Sequence, residues 1–174
     1  EMCIRDRKLG RPVKWVETRR EHMLVCGHER EQIHYVEAAF TKDGRLLGIR
    51  DRVICDVGVY GAFWTETQPV MVTMAAIPGP YDFANYEYEL FCVVTNKAPY
   101  APHRGFGRPV AAFVTERLMD IAARKLGIDP AEIRMRNLIR PEQMPYRNPH
   151  GVVYDSGDYP TALRKLLELS LIHI

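Results

Sequence analysis

The segment Ala98-Pro-Tyr-Ala-Pro-His-Arg-Gly-Phe-Gly-Arg-Pro109 marks the point at which the chain changes its hydrophobic period. Before it, apolar residues mostly alternate. After it, Val110, Phe113, Val114, Leu118, Ile121 and Leu126 recur at the spacing of an amphipathic helix. Pro109 suits the first turn of that helix, and Gly127 can close the last one in a left-handed cap. Gly105 and Gly107 carry no Cβ, so the loop can take positive φ and present amides where the helix N-terminus gathers partial positive charge. Between them the Phe106 ring is free to project, and Arg104 offers a planar fork of donors. The pattern suits an oxyanion or a planar substrate, although a Gly-X-Gly turn before a helix is more often only a turn.

Upstream, Gln32 to Phe40 and Arg45 to Tyr60 read as the strands of a hairpin turned at Lys42-Asp43-Gly44, and Tyr86 to Val94 as a further strand. In that last strand Tyr86 and Tyr88 fall on one face, Glu87 and Glu89 on the other. Val13 to Thr18 alternates like a half-buried strand, followed by a polar connection or short helix over Arg19 to Val25. Gly58 and Gly61 bracket the end of the hairpin, which is consistent with a bulge, a close backbone approach or a plain bend. Pro69, Pro78 and Pro80 predict a loop over 62–83 with one helical turn around Val70 to Ala76. Downstream, Asp129, Pro130 and Glu132 restart a helix that runs to about Leu138, with Glu132 placed to bond back to the cap. After a turn-rich segment over 141–158, Asp158 can cap a helix from Tyr159 to about Glu168. The expected class is α+β: a twisted, mostly antiparallel sheet from 13–18, 32–60 and 84–96, covered by the helices after 109.

A length of 174 residues, 47% hydrophobic and 26% charged, is that of one globular domain. A net charge of +2 with both signs interspersed leaves no basic face for nucleic acid. No apolar run reaches the roughly 18–20 residues of a membrane span, so a cytoplasmic location is expected. Cys3, Cys26, Cys55 and Cys92 are too widely spaced for a zinc knuckle or an iron-sulfur loop and read as small buried hydrophobes. His22, His28 and His34 recur every six residues, which puts no two on one helical face and assigns them no chemistry. Arg134 and Arg136 could anchor phosphate, but pairing with Glu132 or Glu116 is the expected use.

Lys8-Leu-Gly-Arg-Pro-Val-Lys-Trp-Val-Glu-Thr-Arg-Arg-Glu-His22, Thr95-Asn96, Arg104-Gly-Phe-Gly107 and Glu132-Ile-Arg-Met-Arg-Asn137 stand in an order and spacing that resemble one family. It is the molybdopterin-binding large subunit of the xanthine dehydrogenase, aldehyde oxidase and carbon monoxide dehydrogenase-like enzymes. The resemblance implies a partial molybdopterin-binding domain over 8–168. Residues 1–7 and 169–174 resemble translated adapter sequence and are expected to be non-native ends. It also implies that Arg104, Gly105, Phe106 and Gly107 bind the cofactor, that Phe106 touches the substrate, and that no residue here ligates the metal. The implied cofactor is molybdopterin in its cytosine dinucleotide form, with iron-sulfur clusters and FAD in partner subunits or domains. The family's catalytic glutamate lies far downstream and its Gly-Gly-Gly-Phe-Gly segment just upstream, so the chain is expected to supply one wall of the site and no catalytic residue.

Two departures from the family bear on substrate. Counting 32 residues back from Arg104, to where purine-oxidising members carry an arginine, reaches Val72. Gly105 stands where carbon monoxide dehydrogenases hold copper through a cysteine. An aldehyde or an N-heterocycle is the implied substrate. His103, in place of an aromatic residue, is expected to be structural. The competing expectation is a non-catalytic scaffold or assembly domain. The enzymatic reading needs the amides of 104–107 exposed on a concave edge; the scaffold reading needs them buried or bonded within the chain.

Overall fold

In the computed structural model, which describes residues 2–59 and 63–169, β1 (Gln32–Phe40) and β2 (Leu46–Gly58) form the antiparallel hairpin expected from the alternation. β3 (Asn85–Val94) pairs with the other edge of β2 but runs parallel to it, giving the order β1-β2-β3. A parallel neighbour needs a crossover, and α3 (Phe63–Ala76) supplies it. Alternation sorts the side chains by face. Ile49, Val53, Cys55 and Val57 of β2 are buried, while Arg50 and Arg52 on the opposite face pair with Glu87 and Glu89 of β3. Burial pushes the Cys55 thiol up to about 12.

α4 (Arg108–Leu126) is the long helix expected after the loop, ending at Gly127 with φ 67°. Its face Ala111, Val114, Met119, Ala122 and Ala123 is buried in one core with Val70, Met74 and Ile77. α5 (Pro130–Asn137) starts as expected, the Asp129 carboxylate accepting from the Ala131 and Glu132 amides at 2.8 and 3.0 Å. Glu132 turns to Arg136 at 2.8 Å instead of back to the cap. α5 is tied to the hairpin turn by Asn137, which is fully buried. Its Oδ1 accepts from the Leu46 amide at 2.7 Å, and its Nδ2 donates to the carbonyls of Gly44 and Ile133 at 2.7 and 2.8 Å. Asn137→Ala strands the buried Leu46 N–H and the Gly44 carbonyl, and about 2–3 kcal/mol of stability is expected to be lost. Urea unfolding checks this, and a midpoint unchanged from wild type would show that Asn137 does not pin the turn. α6 (Tyr159–Leu169) is capped as expected, the Asp158 carboxylate accepting from the Thr161 amide at 2.9 Å.

The α+β class stands, with several differences in detail. Residues 12–18 form no strand; Val16 is exposed, and Trp15 lies under the Arg5 guanidinium at 5.0 Å, between α1 (Met2–Leu9) and α2 (Arg19–Val25). An alternating run becomes a strand only when a neighbour offers a ladder, and none does so here among the described residues. The antiparallel expectation holds for β1-β2 and fails for β3, because the chain crosses over the sheet through α3 before returning. The expected 62–83 loop is mostly that helix, with Pro69 inside it. Burial of Pro69, Val70, Thr73 and Met74 offsets the hydrogen bond that proline removes. Within 141–158 the chain makes a short turn at Pro141–Gln143 and a small hairpin of β4 (Tyr146–Arg147) and β5 (Val153–Tyr154). Of the cysteines, Cys55 is buried as expected, but Cys92 is exposed and Cys26 half-buried. Tyr60 and Gly61, and the end segment over 170–174, lie outside the described residues.

Candidate functional site

The loop ahead of α4 lies at the carboxyl ends of the parallel strands β2 and β3, the edge at which open α/β sheets bind ligands. Gly58 ends β2 with φ 68°, and a Cβ there would overlap the Ala98 carbonyl oxygen. The predicted bulge and the predicted close approach are thus both present, since the register also shifts between Asp56 and Gly58. The Val59 amide donates to the Lys97 carbonyl and the Tyr100 amide to the Val57 carbonyl, each at 3.0 Å. Thr95, from one of the quoted motifs, donates its hydroxyl to Asp56 at 2.7 Å. Desolvation works against ionisation of Asp56, yet this bond and the Lys97 ammonium hold its carboxyl below the usual range.

Residues 105, 106 and 107 all have positive φ, at 103°, 51° and 80°. For Phe106 that conformation is strained, and the one other non-glycine residue sharing it among the described residues, Arg30 at φ 83°, touches the same loop. The backbone donors divide. The Phe106 amide donates to the His103 carbonyl at 2.8 Å, and the Gly107 amide to Glu29 Oε1 at 3.0 Å. Gly107 is also buried against α3, where Thr73 donates its hydroxyl to the Gly107 carbonyl at 3.2 Å. The expectation that Gly107 offers its amide outward is therefore not met. Arg104 and Gly105 are exposed, and their amides make no hydrogen bond among the described residues.

Glu29 and Arg30, which sequence reasoning passed over, hold this arrangement from the other side. A short parallel bridge, His28 to Tyr100, brings residues 28–30 beside the loop. The Glu29 carboxylate is 1% exposed and accepts from the amides of both His103 and Gly107, at 3.0 Å each. Arg30 donates to the Arg104 carbonyl at 3.0 Å, and its guanidinium reaches His103 Nδ1 at 3.4 Å, giving His103 the structural contact expected of it. Behind them runs a buried polar chain. Asp51 Oδ2 meets His34 Nδ1 at 2.7 Å, His34 Nε2 meets Gln32 Oε1 at 3.0 Å, and Gln32 donates to the Tyr100 hydroxyl at 2.7 Å and to Thr73 at 3.4 Å. Through Thr73 it ends on the Gly107 carbonyl. No spacing rule reveals such a chain, because its members come from β1, β2, α3 and the loop; the one local signal was the polar residues Gln32 and His34 on the inward face of an otherwise apolar strand.

A groove of about 450 Å³ opens beside the loop, with Arg30, Gln32 and His34 on one side and Val110, Phe113 and Val114 of α4 on the other. Two free amides and the exposed Arg104 side chain make this edge suitable for an anionic group such as a cofactor oxygen, whereas the first amides of α4 are already bonded to the carbonyls of Gly105 and Gly107. The loop carries no thiolate, and Gly105 leaves the position beside Arg104 without a soft metal ligand. Away from the loop, Arg134 pairs with Glu116 at 2.6 Å and Asp120 at 2.8 Å, and Arg136 pairs with Glu132, as expected. No helix among the described residues is long and apolar enough to cross a membrane.

The family model for the molybdopterin cofactor-binding domain matches residues 2–138. The carbon monoxide dehydrogenase large chain of Hydrogenophaga pseudoflava is 41% identical over 162 residues, covering 92% of this chain and 20% of that one. The nicotine 6-hydroxylase large subunit of Paenarthrobacter nicotinovorans is 38% identical, covering 97% of this chain and 21% of that one. The crystal structure of quinoline 2-oxidoreductase from Pseudomonas putida 86 superposes with a TM-score of 0.91 at 38% identity, over 97% of this chain and 22% of that one. The chain thus spans about a fifth of the length of the curated relatives it matches.

Proposed function

Because the chain belongs to the molybdopterin cofactor-binding domain family, we propose that residues 8–168 form one wall of the cofactor and substrate site in the large subunit of a molybdenum hydroxylase. The supporting observation is the pair of exposed, unbonded amides at Arg104 and Gly105 beside the strained Phe106, at the carboxyl ends of β2 and β3. In this reading Arg104 and Gly105 face the anionic oxygens of a molybdopterin, in its cytosine dinucleotide form, and the Phe106 ring packs on the substrate. Gly107 anchors the loop to α3 instead of donating to the cofactor. The cofactor, when bound, supplies the oxygen transfer and takes up the electrons; this wall orients the substrate, and the proton acceptor comes from elsewhere in the subunit. Partner subunits with iron-sulfur clusters and flavin carry the electrons onward, and the assembly is cytoplasmic. With Gly105 offering no sulfur to copper, the substrate is an aldehyde or an N-heterocycle, in keeping with the relatives named for nicotine and quinoline.

One observation favours a second reading. The Phe106 and Gly107 amides are satisfied within the chain, as a non-catalytic scaffold or assembly domain would require. Phe106→Ala in the intact complex separates the two. Under the enzymatic reading molybdenum content is retained while kcat/KM falls by about tenfold or more. An unchanged kcat/KM with weakened subunit assembly would instead support the scaffold.

A further inference from the structure

α2 is held by a full capping box: the Glu21 amide donates to the Thr18 hydroxyl, and the Glu21 carboxylate accepts from the Thr18 amide at 2.7 Å. That cap fixes the side chains around it. Glu17 precedes the cap, His22 lies one turn in, and Cys26 is the C-cap, four residues beyond His22 on the same face. Their ligand atoms converge: His22 Nδ1 is 2.5 Å from Glu17 Oε1 and 3.0 Å from Cys26 Sγ, and Sγ is 4.0 Å from Oε1. A catalytic relay places the acid and the thiol on opposite nitrogens of the imidazole. Here both face Nδ1, and one nitrogen cannot serve both with good geometry, whereas a cation among the three atoms satisfies all of them.

We propose that Glu17, His22 and Cys26 form a binding site for a borderline-soft divalent cation of the zinc class, with a fourth position open to water. Carboxylate oxygen, imidazole nitrogen and thiolate sulfur are the donor set that selects zinc over magnesium or calcium. Ligand atoms in a tetrahedral zinc shell stand about 3.3–3.5 Å apart. The His22 and Glu17 side chains are 54% and 40% exposed, so their separation can widen without moving the helix. On binding, the thiol proton leaves to solvent and no group changes oxidation state. The site is independent of the cofactor reading of the Arg104 loop.

Titration of the reduced 174-residue chain with Co²⁺ tests the site. One equivalent is expected to bind, giving visible d–d bands and a near-ultraviolet thiolate-to-cobalt charge-transfer band, both abolished by Zn²⁺. C26S removes the charge-transfer band, His22→Ala weakens Co²⁺ binding by about tenfold or more, and C92S, at an exposed cysteine outside the cluster, changes neither. The proposal is overturned if the folded chain gives no charge-transfer band, if the band survives C26S, or if the urea-unfolded chain binds Co²⁺ equally well. Should the chain not fold alone, the same three variants are compared in the intact subunit with the same criteria.

Discussion

Gly107→Ala is expected to remove about 2–5 kcal/mol of folding stability, combining roughly 1–3 kcal/mol of overpacking with roughly 1–2 kcal/mol for a left-handed residue bearing a Cβ. At φ 80°, the added methyl would overlap the Pro69 carbonyl oxygen and come within 2.7 Å of Thr73 Oγ1. Neither neighbour can yield cheaply. The Pro69 carbonyl belongs to the buried interior of α3, and the Thr73 hydroxyl is held at 3.0 Å to that same carbonyl. Relief must come from the loop lifting off α3, which breaks the Glu29 and Thr73 bonds to Gly107 as well. Urea denaturation followed by circular dichroism measures the loss. A midpoint shift equivalent to less than about 1 kcal/mol would mean that the loop is not seated on α3.

Removing the carboxylate that clamps the loop is expected to cost a similar amount. In Glu29→Ala the amides of His103 and Gly107 lose their acceptor, and the neighbouring Arg30 loses the carboxylate 3.7 Å from its Nε. Breaking a buried, charge-assisted arrangement on one side costs about 3–5 kcal/mol. Glu29→Gln keeps one acceptor oxygen and is expected to fall between wild type and Glu29→Ala. Amide hydrogen exchange gives a reading specific to the clamp: the His103 and Gly107 amides should exchange faster in Glu29→Ala, whereas the Ala131 amide, bonded to Asp129, should not. Uniform acceleration at all three would indicate general unfolding, and no change at Gly107 would rule out the clamp.

Both predictions concern contacts that no local pattern encodes. Glu29 and Arg30 fall in a charged run, Glu29-Arg-Glu31, which by composition reads as a solvated connection. Their partners lie more than 70 positions away in the chain, at separations of 74 and 78 residues. His22 and Cys26 become a pair only through the helix Arg19–Val25, which turns their four-residue interval into a shared face. Local sequence reads Pro69 as a helix breaker because proline removes a backbone bond, and the burial that offsets this loss is a property of the assembled core.

Residue order alone determined the hairpin, α4 to α6 with their caps, and the family to which the chain belongs, because each rests on short-range regularities: alternation, helical spacing, N-cap acids and contiguous motifs. Only the tertiary structure decided the direction of β3, the helicity around Pro69, and which loop amides remain free. Those outcomes depend on which distant surfaces meet. A crossover helix must be packed before a parallel strand can follow it, and a buried carboxylate can capture Gly107 only after two segments 78 residues apart have come together.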